Sequence, residues 1–306
     1  MLPASSIDAL CRSNDVVAFV EVLAVEGPPR YAAAPDAVVF TNYWTCRVST
    51  PVLPATMKTN SLLTFVTRMV GKNQGDFSMW NHLGKTNESV AVFLRRVGGS
   101  GCLLEDQHMP LIVLPKAYVL KLPPDGTSSP VDRLLAILLD WARRPGGSKR
   151  VAIKRLWWSP VFQKRLLIPR VREDFVDLLI SLARASGDSL TIDEAFRVLG
   201  RMNEPSVLDV ALSHGLKEKR RSIPRHKAAM WTRSLLFATD DQDVQQEGMK
   251  VLRELEEKSA DEETRRYARI SQETFAKEKK RRAFLDKLLE KRRKEYEKEG
   301  APATSP

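Results

Sequence analysis

The side chains in this chain best equipped for chemistry are cations set beside aromatic rings. The run Lys149-Arg-Val-Ala-Ile-Lys-Arg-Leu-Trp-Trp-Ser-Pro160 continues to Gln163-Lys-Arg165. Ammonium and guanidinium groups neutralise phosphates, and indole faces stack on bases or on guanidinium planes. Lys149, Arg150, Lys154, Arg155, Trp158, Lys164 and Arg165 therefore form a candidate polyanion-binding set. A plainer reading competes with this and is preferred: Leu156, Trp157 and Phe162 fill a helical core, and the cations are simply solvated. Lys217-Glu-Lys-Arg-Arg221 is open to the same two readings. Lys279-Lys-Arg-Arg282 and Arg292-Arg-Lys294 read first as a solvated helix laced by i,i+4 pairs such as Glu290 with Lys294.

Other chemistry is thinly represented. The histidines are His82, His108, His214 and His226, and no His-x-x-x-His or Cys-x-x-Cys pair occurs. Cys102 and His108 could share an ion, but zinc sites use tighter spacings and four ligands. Gly98-Gly-Ser-Gly101 lacks the Lys-Ser/Thr of a phosphate-binding loop and reads as a hairpin turn. No Gly-x-Ser-x-Gly elbow is present. The sequence thus points to no catalytic residue, no metal ligand and no cofactor. An enzyme of unrecognised type stays open, because catalytic groups can assemble from distant positions.

The elements that must position the cations follow from composition and periodicity. At 306 residues, 43% hydrophobic and 28% charged, the chain has enough apolar content for one large or two ordinary cores. The net charge is +11, which favours polyanions without choosing among them. Residues 1–125 carry 11 Lys/Arg against 10 Asp/Glu, whereas residues 143–172 hold cations and no acid, and residues 277–298 hold 11 basic against 5 acidic residues. The excess belongs to the C-terminal half. The three cysteines, Cys11, Cys46 and Cys102, are too few and too odd for a disulfide framework and read as buried free thiols, with one disulfide plus a spare thiol as the alternative.

Residues 5–13 read as a short helix that Ser6 can cap. Residues 15–26 are β-branched and apolar on both faces save Glu21, which suits a central strand. Residues 37–50 alternate, with Val38, Phe40, Trp44, Cys46 and Val48 on one face, and Pro51 and Pro54 are expected to end that strand. Further strands are expected at 61–70, 89–97 and 111–122. The spacing predicts an antiparallel sheet or small barrel over 1–122, able to fold by itself, then a Pro/Ser linker over 123–130. Helices are expected at 131–143, 172–185, from a Thr191 or Asp193 cap to Leu199, 204–213, 225–238 and 243–257. Residues 131–258 thus make a helical, repeat-like domain. A long charged helix with a narrow stripe of Phe284, Leu285, Leu288 and Leu289 follows over 259–298, and then a tail, expected to be disordered, over 299–306.

Three segments carry a resemblance: Ser13-Asn-Asp-Val-Val-Ala-Phe-Val-Glu-Val, Tyr43-Trp-Thr-Cys-Arg-Val and Ser89-Val-Ala-Val-Phe-Leu-Arg-Arg. Over roughly residues 5–122 the chain resembles uncharacterised bacterial envelope proteins with an OB-like barrel of the netrin/tissue-inhibitor-of-metalloproteinase type, some of which continue into HEAT-like helices. The resemblance implies an α+β chain of two domains: an N-terminal antiparallel OB-like β-barrel and a C-terminal all-α, irregular HEAT-like array ending in a long charged helix. Tissue inhibitors place an N-terminal cysteine on a protease zinc. This chain opens Met1-Leu2-Pro3-Ala4 and its first cysteine is Cys11, so no inhibitor role is implied.

The expected function is that of a non-catalytic interaction or scaffold protein whose partner is a protein or envelope component. Non-specific nucleic-acid binding through the basic helices and the OB-like barrel is the alternative. No run approaches the ~20 apolar residues of a transmembrane helix. The first residues have neither a charged nor an apolar signal region, so the expected location is cytoplasmic, or the bacterial envelope or periplasm if an export signal precedes Met1.

Overall fold

The computed structural model describes residues 7–13, 15–26, 31–34, 37–54, 56–71, 88–97, 101–104, 113–115, 129–145, 148–216 and 223–299. The protein is α+β, an antiparallel sheet followed by a helical region. Helix α1 (Ile7–Ser13) leads into β1 (Val16–Glu26), β2 (Tyr31–Ala34), β3 (Ala37–Leu53), β4 (Leu62–Gly71), β5 (Glu88–Val97), β6 (Gly101–Leu104) and β7 (Val113–Pro115). The four long strands pair antiparallel in the order β5–β1–β3–β4. Of the short ones, β2 adds to β3, β7 adds to β5, and β6 pairs with β5 antiparallel and with β4 parallel.

β1 is the central strand that its composition requires. Val16 through Val20 are all buried, because β3 and β5 flank it and both of its faces are covered. Val16, Ala18 and Val20 join Trp44, Cys46, Val48, Leu63, Phe65, Val92 and Leu94 in one apolar cluster, with Val22 packed against it. Glu21, the acid that interrupts the apolar run, sits opposite Arg47 at 3.7 Å.

The alternation expected over 37–50 puts Trp44, Cys46 and Val48 inside and leaves Arg47 exposed. The strand does not stop at Pro51 but runs to Leu53. Pro51 pairs with Ala18 where the register shifts on both sides, and such irregularities accept a residue that cannot donate. β5 and β6 pair antiparallel with Val97 opposite Gly101, while residues 98–100 of the expected turn lie outside the described residues. Of the strand expected over 111–122, the described part is β7; its remainder, the Ser6 cap, Lys217–Arg221 and the tail beyond Glu299 lie outside the described residues.

The helices are α2 (Pro130–Arg143), α3 (Arg150–Trp157), α4 (Pro160–Arg165), α5 (Pro169–Ala185), α6 (Ser189–Arg201), α7 (Leu208–Leu216, after a 3-10 turn at Pro205–Val207), α8 (Lys227–Ala238), α9 (Gln242–Lys258) and α10 (Glu262–Glu299). Ser129 caps α2, accepting from the Asp132 N–H at 3.1 Å, and so belongs to the helix start rather than to the expected linker. The cap of α6 is Asp188, whose carboxylate accepts from the N–H groups of Leu190 and Thr191. Thr191 and Asp193, the expected caps, lie inside the helix, with Thr191 fully buried.

Two compact units emerge: residues 1–145 with 149–173, and residues 146–148 with 174–306. In the first, α2 packs against α1 and β3, α3 packs on α2, and the Asp8 carboxylate of α1 accepts the Val161 N–H of α4 at 3.2 Å. In the second, α6 and α8 pack closely: a Cβ at Gly200 would sit 2.6 Å from the Leu235 carbonyl oxygen, so only glycine permits the approach. Trp231 stacks on Phe196 at 5.7 Å between centroids and meets His214 at 4.9 Å.

Candidate polyanion interface

The cation set of residues 149–165 sits on α3, α4 and their junctions, and the fold sorts it by orientation. Ala152, Ile153, Leu156 and Phe162 turn inward, and Ser159 caps α4 by accepting the Phe162 N–H at 3.2 Å. Helical periodicity then carries two cations inward with them. Lys149 is 2% exposed, with Nζ 3.0 Å from the centre of the Trp141 ring. Arg155 is 4% exposed. Arg165 is bound by the Asp132 carboxylate. Arg150 and Lys154 are half-buried, Lys164 is exposed, and Trp158 shows 48% of its surface. Just beyond α4, Leu167 is 81% and Ile168 54% exposed. The solvent-facing part of the set is thus Arg150, Lys154, Trp158 and Lys164, joined by two aliphatic side chains that sequence reasoning missed. No periodic signal marks Leu167 and Ile168, because they occupy the turn between α4 and α5.

Burial pushes the Lys149 ammonium down to about 8 from its ordinary 10.5, and the Arg144 charge adds to this. The unfolded chain keeps that proton to higher pH than the folded chain does, so this group makes stability rise between pH 8 and 10.5. Lys149→Met is expected to gain in urea midpoint over the parent near neutral pH and to lose that gain towards pH 10.5. A gap that does not change with pH would show Lys149 to be solvated.

The second concentration of charge is α10. Asp261 starts it by accepting the Thr264 N–H at 2.9 Å. Its first half docks on α8 and α9 through buried Thr264, Ala268, Ser271 and Phe275, with Glu256 of α9 accepting from Arg269 and Gln272, both at 2.8 Å. From residue 279 to 295 every side chain is exposed, including Phe284 (61%), Leu285 (42%), Leu288 (42%) and Leu289 (64%). The pairing expected of Glu290 with Lys294 is present at 2.7 Å. Arg281 and Arg282 share Glu278, and Lys291 faces Glu295 at 3.9 Å.

Open clefts lie among the described residues of the second unit. One, of about 440 Å³, brings together Arg197, Arg201 and Arg233 over Phe237 and Thr274. Its Arg197 is held by Asp193 at 3.2 Å and Glu194 at 3.0 Å, so much of its charge is spent internally. Another, of about 510 Å³, is lined by Gln242, Gln245 and Gln246 with Lys250, Arg253 and Lys279.

Buried titratable groups serve the fold. His214 meets the Pro224 carbonyl at 3.2 Å, and His226 faces Glu263 at 3.1 Å while stacking on Tyr267. Cys11 and Cys46 are free and buried; burial pushes both thiols up to about 12, with the Asp8 charge adding to the effect on Cys11. His82 and the side chains of Cys102 and His108 lie outside the described residues. Among the described residues no group of three or more His, Cys, Asp or Glu is placed to hold a metal ion. No described helix is long and apolar enough to cross a membrane. Comparison with protein-family models, curated proteins and solved structures finds no match to this chain.

Proposed function

We propose that this chain is a non-catalytic interaction or scaffold protein that docks an anionic partner, a protein or envelope component, through exposed helical surfaces. The observation that carries this is where its large apolar side chains are left in solvent. Trp158, Leu167 and Ile168 stand exposed in the acid-free run of residues 143–172, and Phe284, Leu285, Leu288 and Leu289 stand exposed within residues 277–298. Apolar patches rimmed by charge are the usual mark of an interaction surface.

The β-domain in this reading is an OB-like barrel of the netrin/tissue-inhibitor type, and the helices a HEAT-like array. The pairing pattern supports the first: β1–β3–β4–β6–β5 leads back to β1, with the β4–β6 contact parallel. The packing of α6 on α8 and of α9 on α10 supports the second. A bacterial envelope location rests on the resemblance of residues 5–122.

Nucleic-acid binding is the second reading, favoured by Trp158 standing one helical turn beyond Lys154 as a stacking face beside a cation. Titration of the full chain with single-stranded DNA, duplex DNA and polyglutamate at rising salt separates the two. Nucleic acid should bind weakly and without sequence preference, with Kd in the ~10⁻⁴–10⁻⁶ M range at physiological salt and each neutralised phosphate adding ~0.7–0.9 to the log–log slope. Arg150, Lys154 and Lys164 changed together to Gln should lower the slope, and deleting 277–306 should lower it independently. Tight, sequence-selective binding would establish the second reading, and no binding to any polyanion at low salt would end both.

A further inference from the structure

We propose that the distal half of α10, residues 277–298, is an anchor that lies in the plane of an anionic lipid surface; this rests on the docking reading above and names its partner. Phe284, Leu285, Leu288 and Leu289 fall within an arc of about 140° on an ideal helix, over about 7.5 Å of its length. Arg281 lies three residues before that stripe and Arg292 three residues after it, both on the same arc. Asp286 lies on the far side, away from the stripe. Each end of the apolar stripe therefore carries a cation, Arg281 held by Glu278 on the same arc and Arg292 in no ion pair among the described residues. Lys279, Lys280, Lys287 and Arg292 make no ion pair among the described residues, whereas Glu278, Glu290 and Glu295 are occupied by Arg281, Arg282, Lys294 and Lys291 of the same helix.

Charge and pattern together select the occupant. A second copy of this helix would bring like charge against like charge. One heptad before the stripe stand Lys277, Glu278, Arg281 and Arg282, and one heptad after stand Lys291, Arg292, Glu295 and Tyr296, so no coiled-coil seam continues it. A protein groove that takes a helix reads anchors at i, i+3, i+4 and i+7, and here the positions seven after Phe284 and Leu285 are Lys291 and Arg292. Here the apolar anchors are short and the cations are long, extending from Lys277 to Lys294 over about 25 Å. That combination suits a bilayer, which accepts a shallow apolar insertion and offers diffuse negative charge. One weak apolar anchor joined to a polybasic patch is the pairing that makes such binding stable.

The test is flotation of the full chain with vesicles of phosphatidylcholine alone, or with about a third replaced by phosphatidylglycerol to supply anionic charge. Binding is expected to the anionic vesicles only, and to fall as salt rises. Leu285→Ser with Leu288→Ser should cut the partition coefficient roughly tenfold. Arg281→Gln, Lys287→Gln and Arg292→Gln together should cut it roughly tenfold or more. All five side chains are exposed, so helical circular dichroism should be unchanged in both variants. Equal binding to neutral vesicles, or leucine variants that bind like the parent, would overturn the proposal. So would polyglutamate binding retained with no vesicle binding, which would give the stripe to an acidic protein and leave the docking reading standing. A dimer in sedimentation that the leucine changes dissolve would give it to a second copy.

Discussion

Replacing Trp44 by alanine is expected to cost about 3–5 kcal/mol of stability, the usual range for truncating a buried tryptophan. Trp44 is 2% exposed, lies opposite Phe65 across the β3–β4 ladder, and stacks on it at 5.9 Å with the rings nearly parallel. It belongs to the single apolar cluster that β1, β3, β4 and β5 share, so the cavity would be bordered by strands that cannot all move inward at once. Small domains hold only about 5–15 kcal/mol in total, so the variant should lose a large part of its urea midpoint. Tyr43→Ala is the control. Its ring is 53% exposed on the opposite face, and the change should stay within about 0.5 kcal/mol. A loss below about 1 kcal/mol at Trp44 would mean that the strand presents its other face to the core.

The second large effect is expected at Trp231, which is fully buried in α8 between Phe196 and His214. Alanine there should cost about 3–5 kcal/mol. The indole has a further property that separates two contributions. Its Nε1 is buried with no hydrogen-bond partner among the described residues, and such a group costs about 1–3 kcal/mol to leave unsatisfied. Trp231→Phe removes that donor and keeps an aromatic ring against Phe196, so the two changes partly cancel. Thermal unfolding followed by far-ultraviolet circular dichroism should show a large drop for alanine and a small shift for phenylalanine. A phenylalanine variant as damaged as the alanine one would show that the N–H has a partner, or that indole volume alone holds the helices together.

Much of the architecture was legible in local pattern. The apolar run of Val16–Val20 marked a strand buried on both faces, because side chains alternate across a sheet and an unbroken apolar run puts large side chains on each face in turn. The alternation through Trp44, Cys46 and Val48 marked the half-buried strand beside it. Helical spacing located α2, α5 and α8 to within a few residues. The strands missed, β2 and β6, are four residues each. Their stability comes from the neighbours they pair with, so nothing in their own composition announces them. Pro51 misled for a related reason: a proline ends a strand only where its missing N–H is needed, and a shifted register removes the need.

The candidate surface was legible in kind and not in membership. Its seven residues lie close together in sequence, yet the fold turns Lys149 and Arg155 inward and binds Arg165 to Asp132. Trp231 was not singled out, although Ala228, Ala229, Thr232, Leu235 and Leu236 around it repeat at the spacing of a buried helix face.

By itself, the sequence determined the order of the long strands and of most helices, the concentration of charge in the C-terminal half, and the apolar stripe of α10. These depend on periodicities and compositions that a short window contains. Tertiary structure alone decided which cations face solvent and that α2, α3 and α4 belong with the sheet. The Lys149 ammonium meets the face of Trp141, and Asp8 reaches the N–H of Val161, across 153 residues of chain. A side chain's exposure depends on what other elements place over it, and that information lies at no single position in the sequence.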